Sequence, residues 1–318
     1  MKKNLGKRPP NQFRGNLEGD FFTRIRIYLV EMYPARNIVF GVLFFMSAWC
    51  GIALLSHSGN GSLLPPKHVL FSSALTIPLM LLLLRIMDEL KDFETDPLHF
   101  PDRPVPRGAV HLTDLKLFGL FIVGTLFILN LFFTHATLIF LFVFGYASLM
   151  YKYFFLKELI SNNILIALAT HNPISYLFFL YVVFIYKNNM TIPVHIGRVL
   201  LLGTVFLWSS MSWEIARKIK RPEDETTYQT YSMVFGLQLS LVIPIVLSGA
   251  SLIVIICLYH DLFFGFTILY MIAVYLFMVM TFLRFYKKQS ILFGLKTTTE
   301  IFIVNIQSIL VLEGIFIV

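Results

Sequence analysis

Nine apolar runs divide this 318-residue chain, at residues 38–56, 68–88, 113–133, 136–152, 163–186, 193–214, 231–258, 262–285 and 298–317. A bilayer core about 30 Å thick needs roughly 20 apolar residues per helix, so runs of this length and number predict a polytopic α-helical membrane protein. Composition agrees: 57% of the residues are hydrophobic and 14% charged, which is too apolar and too sparsely charged for a soluble domain. No secretory signal is read at the start, where residues 1–20 are polar and basic and read as a flexible tail. Residues 21–36 read as an interfacial segment broken from the first span by Pro34, and residues 21–318 as one membrane domain. Cys50 and Cys257 lie inside apolar runs and read as packing residues.

The net charge of +8 could suggest a nucleic-acid partner, but its distribution follows the membrane. With the N-terminus in the cytoplasm, all but three of the 26 Lys and Arg residues fall in inside segments. The exceptions are Lys67, Lys187 and Arg198. That asymmetry predicts orientation and contact with anionic lipid rather than nucleic acid. An odd number of spans then puts the C-terminus outside.

Two polar knots interrupt the apolar pattern on the predicted cytoplasmic face. The first, RIMDELKDFETDPLHFPDRPVPRG at residues 85–108, holds six of the 18 acidic residues. Asp88, Asp92 and Asp96 fall at i, i+4 and i+8, one face of a helix, with Glu89 beside them. Acidic runs are commonly solvated helix ends; this one grows directly from a membrane span, where stacked carboxylates invite a hard divalent cation. Pro97 predicts that the helix ends at Asp96. Asp114 with Thr113 reads as a cap for the third span. The second knot, WEIARKIKRPEDETTYQTYS, places Glu214 one turn before Lys218, with Arg217 beside it and Glu223, Asp224 and Glu225 after Pro222. In the middle of the fifth span, Pro173 predicts a kink beside His171 and Asn172. These two and Asn305 in the last span are cavity candidates or interhelical bonding groups. Pro244 predicts a kink or tilt in the seventh span.

Together the knots suggest one polar site opening on an apolar cavity. Acids would hold Mg²⁺. Arg103, Arg107, Lys157, Arg217 and Lys218 would meet phosphate oxygens. A diphosphate carrying a long hydrocarbon tail fits such a site. The charge on the departing diphosphate would be stabilised there and the resulting allylic carbocation captured by a nucleophile.

At these residues the sequence resembles the UbiA superfamily of intramembrane prenyltransferases. The family's Asn-Asp-x-x-Asp-x-x-x-Asp motif matches Asp88, Glu89, Asp92 and Asp96, with Asp for Asn and Glu for the first Asp. Its Arg-Pro-Leu-x-x-Gly tail matches Arg103-Pro104-Val105-Pro106-Arg107-Gly108, and its Tyr-x-x-x-Lys element matches Tyr153 and Lys157. The second motif departs more. Glu214, Arg217, Glu223 and Glu225 fall in its region, Thr230 matches its Thr, Thr227 stands where Gly is usual, and Lys218 stands where an aspartate is expected. The resemblance implies about nine helices around a central cavity, with polar cap loops. It also implies Mg²⁺-dependent transfer of an isoprenyl chain from its diphosphate to an acceptor, with aromatic compounds among the acceptors the family uses. Asp92, Glu214 and Lys218 would be catalytic, and Asp88, Glu89, Asp96, Glu223 and Glu225 further metal ligands. Arg103, Arg107, Tyr153, Lys157 and Arg217 would bind the diphosphate. An isoprenyl diphosphate, an unidentified acceptor and membrane lipids would be partners, in a bacterial inner membrane. The alternative is a terpene cyclase that needs no acceptor. A CDP-alcohol phosphotransferase is disfavoured because its Asp-Gly-x-x-Ala-Arg signature is absent. A transporter is disfavoured because the charged knots sit at the rim rather than mid-membrane.

Overall fold

A computed structural model describes residues 19–56, 64–134, 136–190 and 195–317. Residues 1–18, most of the expected tail, lie outside it. Among the described residues the chain is helical throughout: α1 (Phe21–Met32), α2 (Ala35–Leu55), α3 (Lys67–Lys91), α4 (Asp96–His99), α5 (Leu112–Phe132), α6 (Thr137–Tyr151), α7 (Lys157–Ser161), α8 (Ile164–His171), α9 (Pro173–Asn189), α10 (Ile196–Ala216), α11 (Tyr231–Tyr259), α12 (Gly265–Tyr286) and α13 (Leu295–Ile317). Short 3-10 turns cover Tyr153–Phe155 and Pro222–Asp224.

Among the described residues eight helices are long and apolar enough to cross a membrane, with α8 and α9 counted as one broken span. The remaining apolar run, 136–152, becomes α6, of 15 residues. At 1.5 Å per residue it is about 22 Å long, shorter than a bilayer core. Pro173 does interrupt its span: it opens α9 at a first-turn position, where its missing N–H breaks no helical bond. In α11 the break falls elsewhere than predicted. Pro244 stays within the helix, and Gly236 leaves helical geometry at φ +75, a conformation that favours a residue without Cβ. Cys50 is buried as expected, whereas Cys257 faces outward from α11.

Two compact units divide the chain, residues 1–39 with 78–127, and residues 40–77 with 128–318. In the first, α1 is lashed to its neighbours along one face. Arg24 makes a two-pronged pair with Asp114 of α5, at 2.7 and 2.9 Å. Glu31 makes another with Arg107, at 2.6 and 2.7 Å. The Tyr33 hydroxyl donates to the Pro78 carbonyl at 2.7 Å. Residues 24, 28 and 31 share a helix face, so the pattern is an amphipathic helix whose polar groups find specific partners. Phe22 and Val30 point away, exposed. Asp114 also accepts from the His111 backbone N–H at 3.1 Å, so it caps α5 from inside the first turn, without Thr113.

In the second unit α10 packs against α9, α11 and α13. Polar pairs pin the helices where apolar surface alone would leave rotation free. Ser212 meets Ser248 at 2.9 Å, and the Tyr259 hydroxyl donates to the Gly51 carbonyl at 2.8 Å. Thr267 donates to Glu313 at 2.5 Å. The buried hub is Asn130. Its amide donates to Thr76 at 3.1 Å, and its oxygen accepts from Tyr181 at 2.7 Å and Thr134 at 3.2 Å. Asn130→Leu is expected to remove the acceptor of the buried Tyr181 hydroxyl and lower stability by about 1–3 kcal/mol. A thermal-shift measurement in detergent checks it; an unchanged midpoint contradicts the hub role.

Candidate diphosphate site

The first knot forms within the first unit. The helix ends earlier than predicted: α3 stops at Lys91, and Asp96 opens the separate α4, with Pro97 in that helix's first turn. Proline is tolerated there, so the chain restarts a helix where a single longer one was expected. Like charges one turn apart weaken the predicted continuation. Asp88, Asp92 and Asp96 therefore do not lie on one helix. The Asp92 carbonyl accepts from Thr95 and Asp96 at 2.9 and 2.8 Å and makes the turn between the helices.

The four carboxylates separate into two kinds. Glu89 and Asp96 are buried, 1% and 6% exposed, and paired with arginine. Glu89 holds Arg85, one turn earlier on α3, and lies 3.9 Å from Arg103. Asp96 accepts from Arg103 at 2.8 Å, and the Arg103 guanidinium stacks 3.8 Å over the Phe100 ring. Asp88 and Asp92 are half-buried, one turn apart, and Asp88 pairs with Lys91 at 2.9 Å. Arg85, absent from the sequence reading, was visible as an i, i+4 partner to Glu89. The Arg103-to-Gly108 segment is a folded turn. Gly108, at φ +81, lets the Ala109 and Val110 N–H groups reach the Pro104 carbonyl at 2.9 and 3.2 Å. Arg107 is turned to Glu31 and to the Asp102 carbonyl at 2.8 Å.

The Glu31 carboxyl is held below the usual carboxylate range by the Arg107 guanidinium. Its pair therefore contributes stability at neutral pH that fades as pH falls through the ordinary carboxylate range towards the lowered value. Comparing the protein with Glu31→Gln, the difference in melting temperature is expected to be present at pH 7 and gone in strong acid. Both groups are 38% exposed, so the difference is small. A difference that grows on acidification contradicts the tie.

The second knot forms within the second unit, at the end of α10. Glu214 accepts from Arg217 at 2.5 and 2.9 Å, and Lys218 lies 3.0 Å from it, so two cations face one carboxylate. Trp213 donates to Glu300 of α13 at 2.9 Å. Two cations lie over its ring, the Arg217 guanidinium at 5.2 Å and the Lys296 ammonium at 5.8 Å. Lys296, missed in the sequence, thus joins this cluster. Glu223 points to Lys288 at 3.0 Å, with its carboxyl lowered first by its own backbone N–H and then by that lysine. Glu225 accepts from Thr230 at 2.7 and 2.9 Å, and Thr230 caps α11.

Tyr153 and Lys157 flank an unusual turn. Tyr153, Phe154 and Phe155 have φ of +51, +49 and +61, one turn of left-handed helix without glycine. Such geometry costs about 1–2 kcal/mol per residue. Tyr153 is half-buried and Lys157 exposed. His171 bonds to Thr170 and the Ala167 carbonyl, both at 3.0 Å. Asn172 accepts from Ser210 at 3.2 Å, and Asn305 accepts from Tyr270 of α12.

Among the described residues no three acidic, His or Cys side chains gather into a metal cage. Mg²⁺ does not require one. It usually keeps water and is bound by one or two carboxylates together with substrate phosphates. Asp88 and Asp92, oxygen donors one turn apart, fit that kind of site.

The sequence matches the UbiA prenyltransferase family over residues 43–298. Among solved structures, that of a digeranylgeranylglyceryl phosphate synthase superposes with a TM-score of 0.57 at 17% identity, over 93% of this chain and 98% of that one. At that identity the likeness shows the fold. No curated protein matches the sequence significantly.

Proposed function

This chain belongs to the UbiA prenyltransferase family, and on that premise we propose that it transfers an isoprenyl chain from an allylic diphosphate to an acceptor within the membrane, with Mg²⁺. The observation that carries the reading is the first cluster. Asp88, paired with Lys91, and Asp92 offer carboxylate oxygens one turn apart, while buried Glu89 and Asp96 hold Arg85 and Arg103. A cluster with both acids and fixed guanidinium groups suits a ligand that is itself a metal–diphosphate.

In the reaction the donor's C1–O bond breaks and its electron pair leaves with the diphosphate. The acceptor nucleophile forms the new bond to C1 and gives up a proton. Asp88 and Asp92 would hold Mg²⁺, which would supply Lewis-acid charge for the departing oxygen. Arg103, fixed by Asp96 and stacked on Phe100, offers N–H donors without reorganising. In the second unit Arg217, Lys218 and Lys296 outnumber the acids Glu214 and Glu300, which suits phosphate oxygens better than a second metal. The clustering of Lys and Arg supports an orientation with both knots and the N-terminus on the cytoplasmic side.

The test is the purified protein supplied with allylic diphosphates of several lengths, with and without an aromatic or a glycerol-lipid acceptor, and product masses read by mass spectrometry. An acceptor-plus-isoprenyl mass is expected. A hydrocarbon formed without acceptor identifies a cyclase instead, and no turnover contradicts both.

A further inference from the structure

Trp213 stands near the end of α10, in the second knot, and is not among the matched motif residues. Its indole N–H donates to Glu300 of α13 at 2.9 Å, which ties the two helices together. Its ring has other neighbours. The Arg217 guanidinium, at the C-cap of α10, lies over it at 5.2 Å, and the Lys296 ammonium of α13 at 5.8 Å. Both fall within the distance at which the negative face of a ring attracts a cation. One side chain therefore gathers a cation from each of two helices.

Lys296 is poorly placed for the stability of its own helix. It lies in the first turn of α13, where the helix dipole disfavours a cation. It pairs with Glu300 at 3.7 Å, but with lysine before glutamate, the weaker order for such a pair. Its side chain is 46% exposed, so burial does not hold it there either. Two cations over one ring also repel each other, and with Lys218 beside Glu214 the cluster keeps more positive than negative charge. An anion taken up beside the ring removes that repulsion.

We propose that Trp213 is a positioning residue for the diphosphate: its ring holds Arg217 and Lys296 together, so that both cations meet phosphate oxygens of one ligand. This rests on the function proposed above. It gives α13 a part in the site, although that helix carries none of the matched motif residues.

The ring and the N–H can be separated. Trp213→Phe keeps a ring and loses the bond to Glu300; Trp213→Leu loses both. Full-length protein in nanodiscs is titrated with inorganic diphosphate at fixed Mg²⁺ by calorimetry, and its melting temperature is recorded without ligand. Both variants are expected to melt lower, because both lose the interhelical bond. Trp213→Leu is expected to bind about tenfold more weakly, the scale of one hydrogen bond to a charged group. Trp213→Phe, which keeps a ring face, is expected to bind within about twofold of the unsubstituted protein. Lys296→Ala is expected to bind about tenfold more weakly without melting lower, and to add little to the loss in Trp213→Leu, since both remove one contact. Normal binding by Trp213→Leu, binding by Trp213→Phe as weak as that of Trp213→Leu, or full additivity of Trp213→Leu with Lys296→Ala overturns the assignment while leaving the proposed function intact. If the unsubstituted protein binds no diphosphate, the proposed function fails and the role of Trp213 with it.

Discussion

Asp92→Ala is expected to lower Mg²⁺-dependent release of diphosphate from an allylic diphosphate by about a thousandfold, the upper range for removing one preorganised electrostatic group. The substitution is clean because the backbone of Asp92 forms the turn. Its N–H donates to the Asp88 carbonyl at 2.9 Å, and its carbonyl accepts from Thr95 and Asp96. Alanine keeps all three bonds, so the loss falls on the side chain. Glu89→Ala tests the complementary claim. It leaves the part-buried Arg85 guanidinium without its buried carboxylate, which destabilises the first unit. It should therefore reduce folded protein, whereas Asp92→Ala should leave yield and melting temperature near normal. Full diphosphate release by Asp92→Ala removes it from the metal site.

Lys218→Ala is expected to weaken substrate binding by about ten- to a hundredfold, the worth of a charge-assisted hydrogen bond, with little change in the Mg²⁺ requirement. Glu214 keeps its two-pronged pair with Arg217, so α10 should hold its end intact. Titrating substrate at saturating Mg²⁺, and Mg²⁺ at saturating substrate, separates the two effects. An unchanged substrate titration removes Lys218 from the site. A steep rise in the Mg²⁺ requirement would instead return the second knot to a metal role.

The spans were readable because a bilayer leaves the backbone few choices: apolar runs must close their own hydrogen bonds as helices. The ends of those helices were less readable, since they depend on local competition. Around Asp92 to Pro97, repelling carboxylates and a proline tolerated in a first turn gave two helices where the spacing suggested one. In α11 a glycine took the kink expected of a proline. Nothing in the letters of Tyr153-Phe154-Phe155 signals left-handed geometry, because residues with Cβ atoms rarely adopt it. Within the site, the residue types were legible but their partners were not. That Glu89 and Asp96 are buried against arginines while Asp88 and Asp92 lie nearer the surface depends on burial, which spacing along a helix does not encode. Lys296 was passed over because the Trp213 ring it meets is distant in sequence.

The most direct test measures diphosphate released from an allylic diphosphate by the purified protein in nanodiscs, with Mg²⁺ and with a chelator in its place. The reading predicts release that requires Mg²⁺ and disappears in Asp92→Ala. Release that is unaffected by chelation, or no release from any chain length with acceptors present, contradicts it.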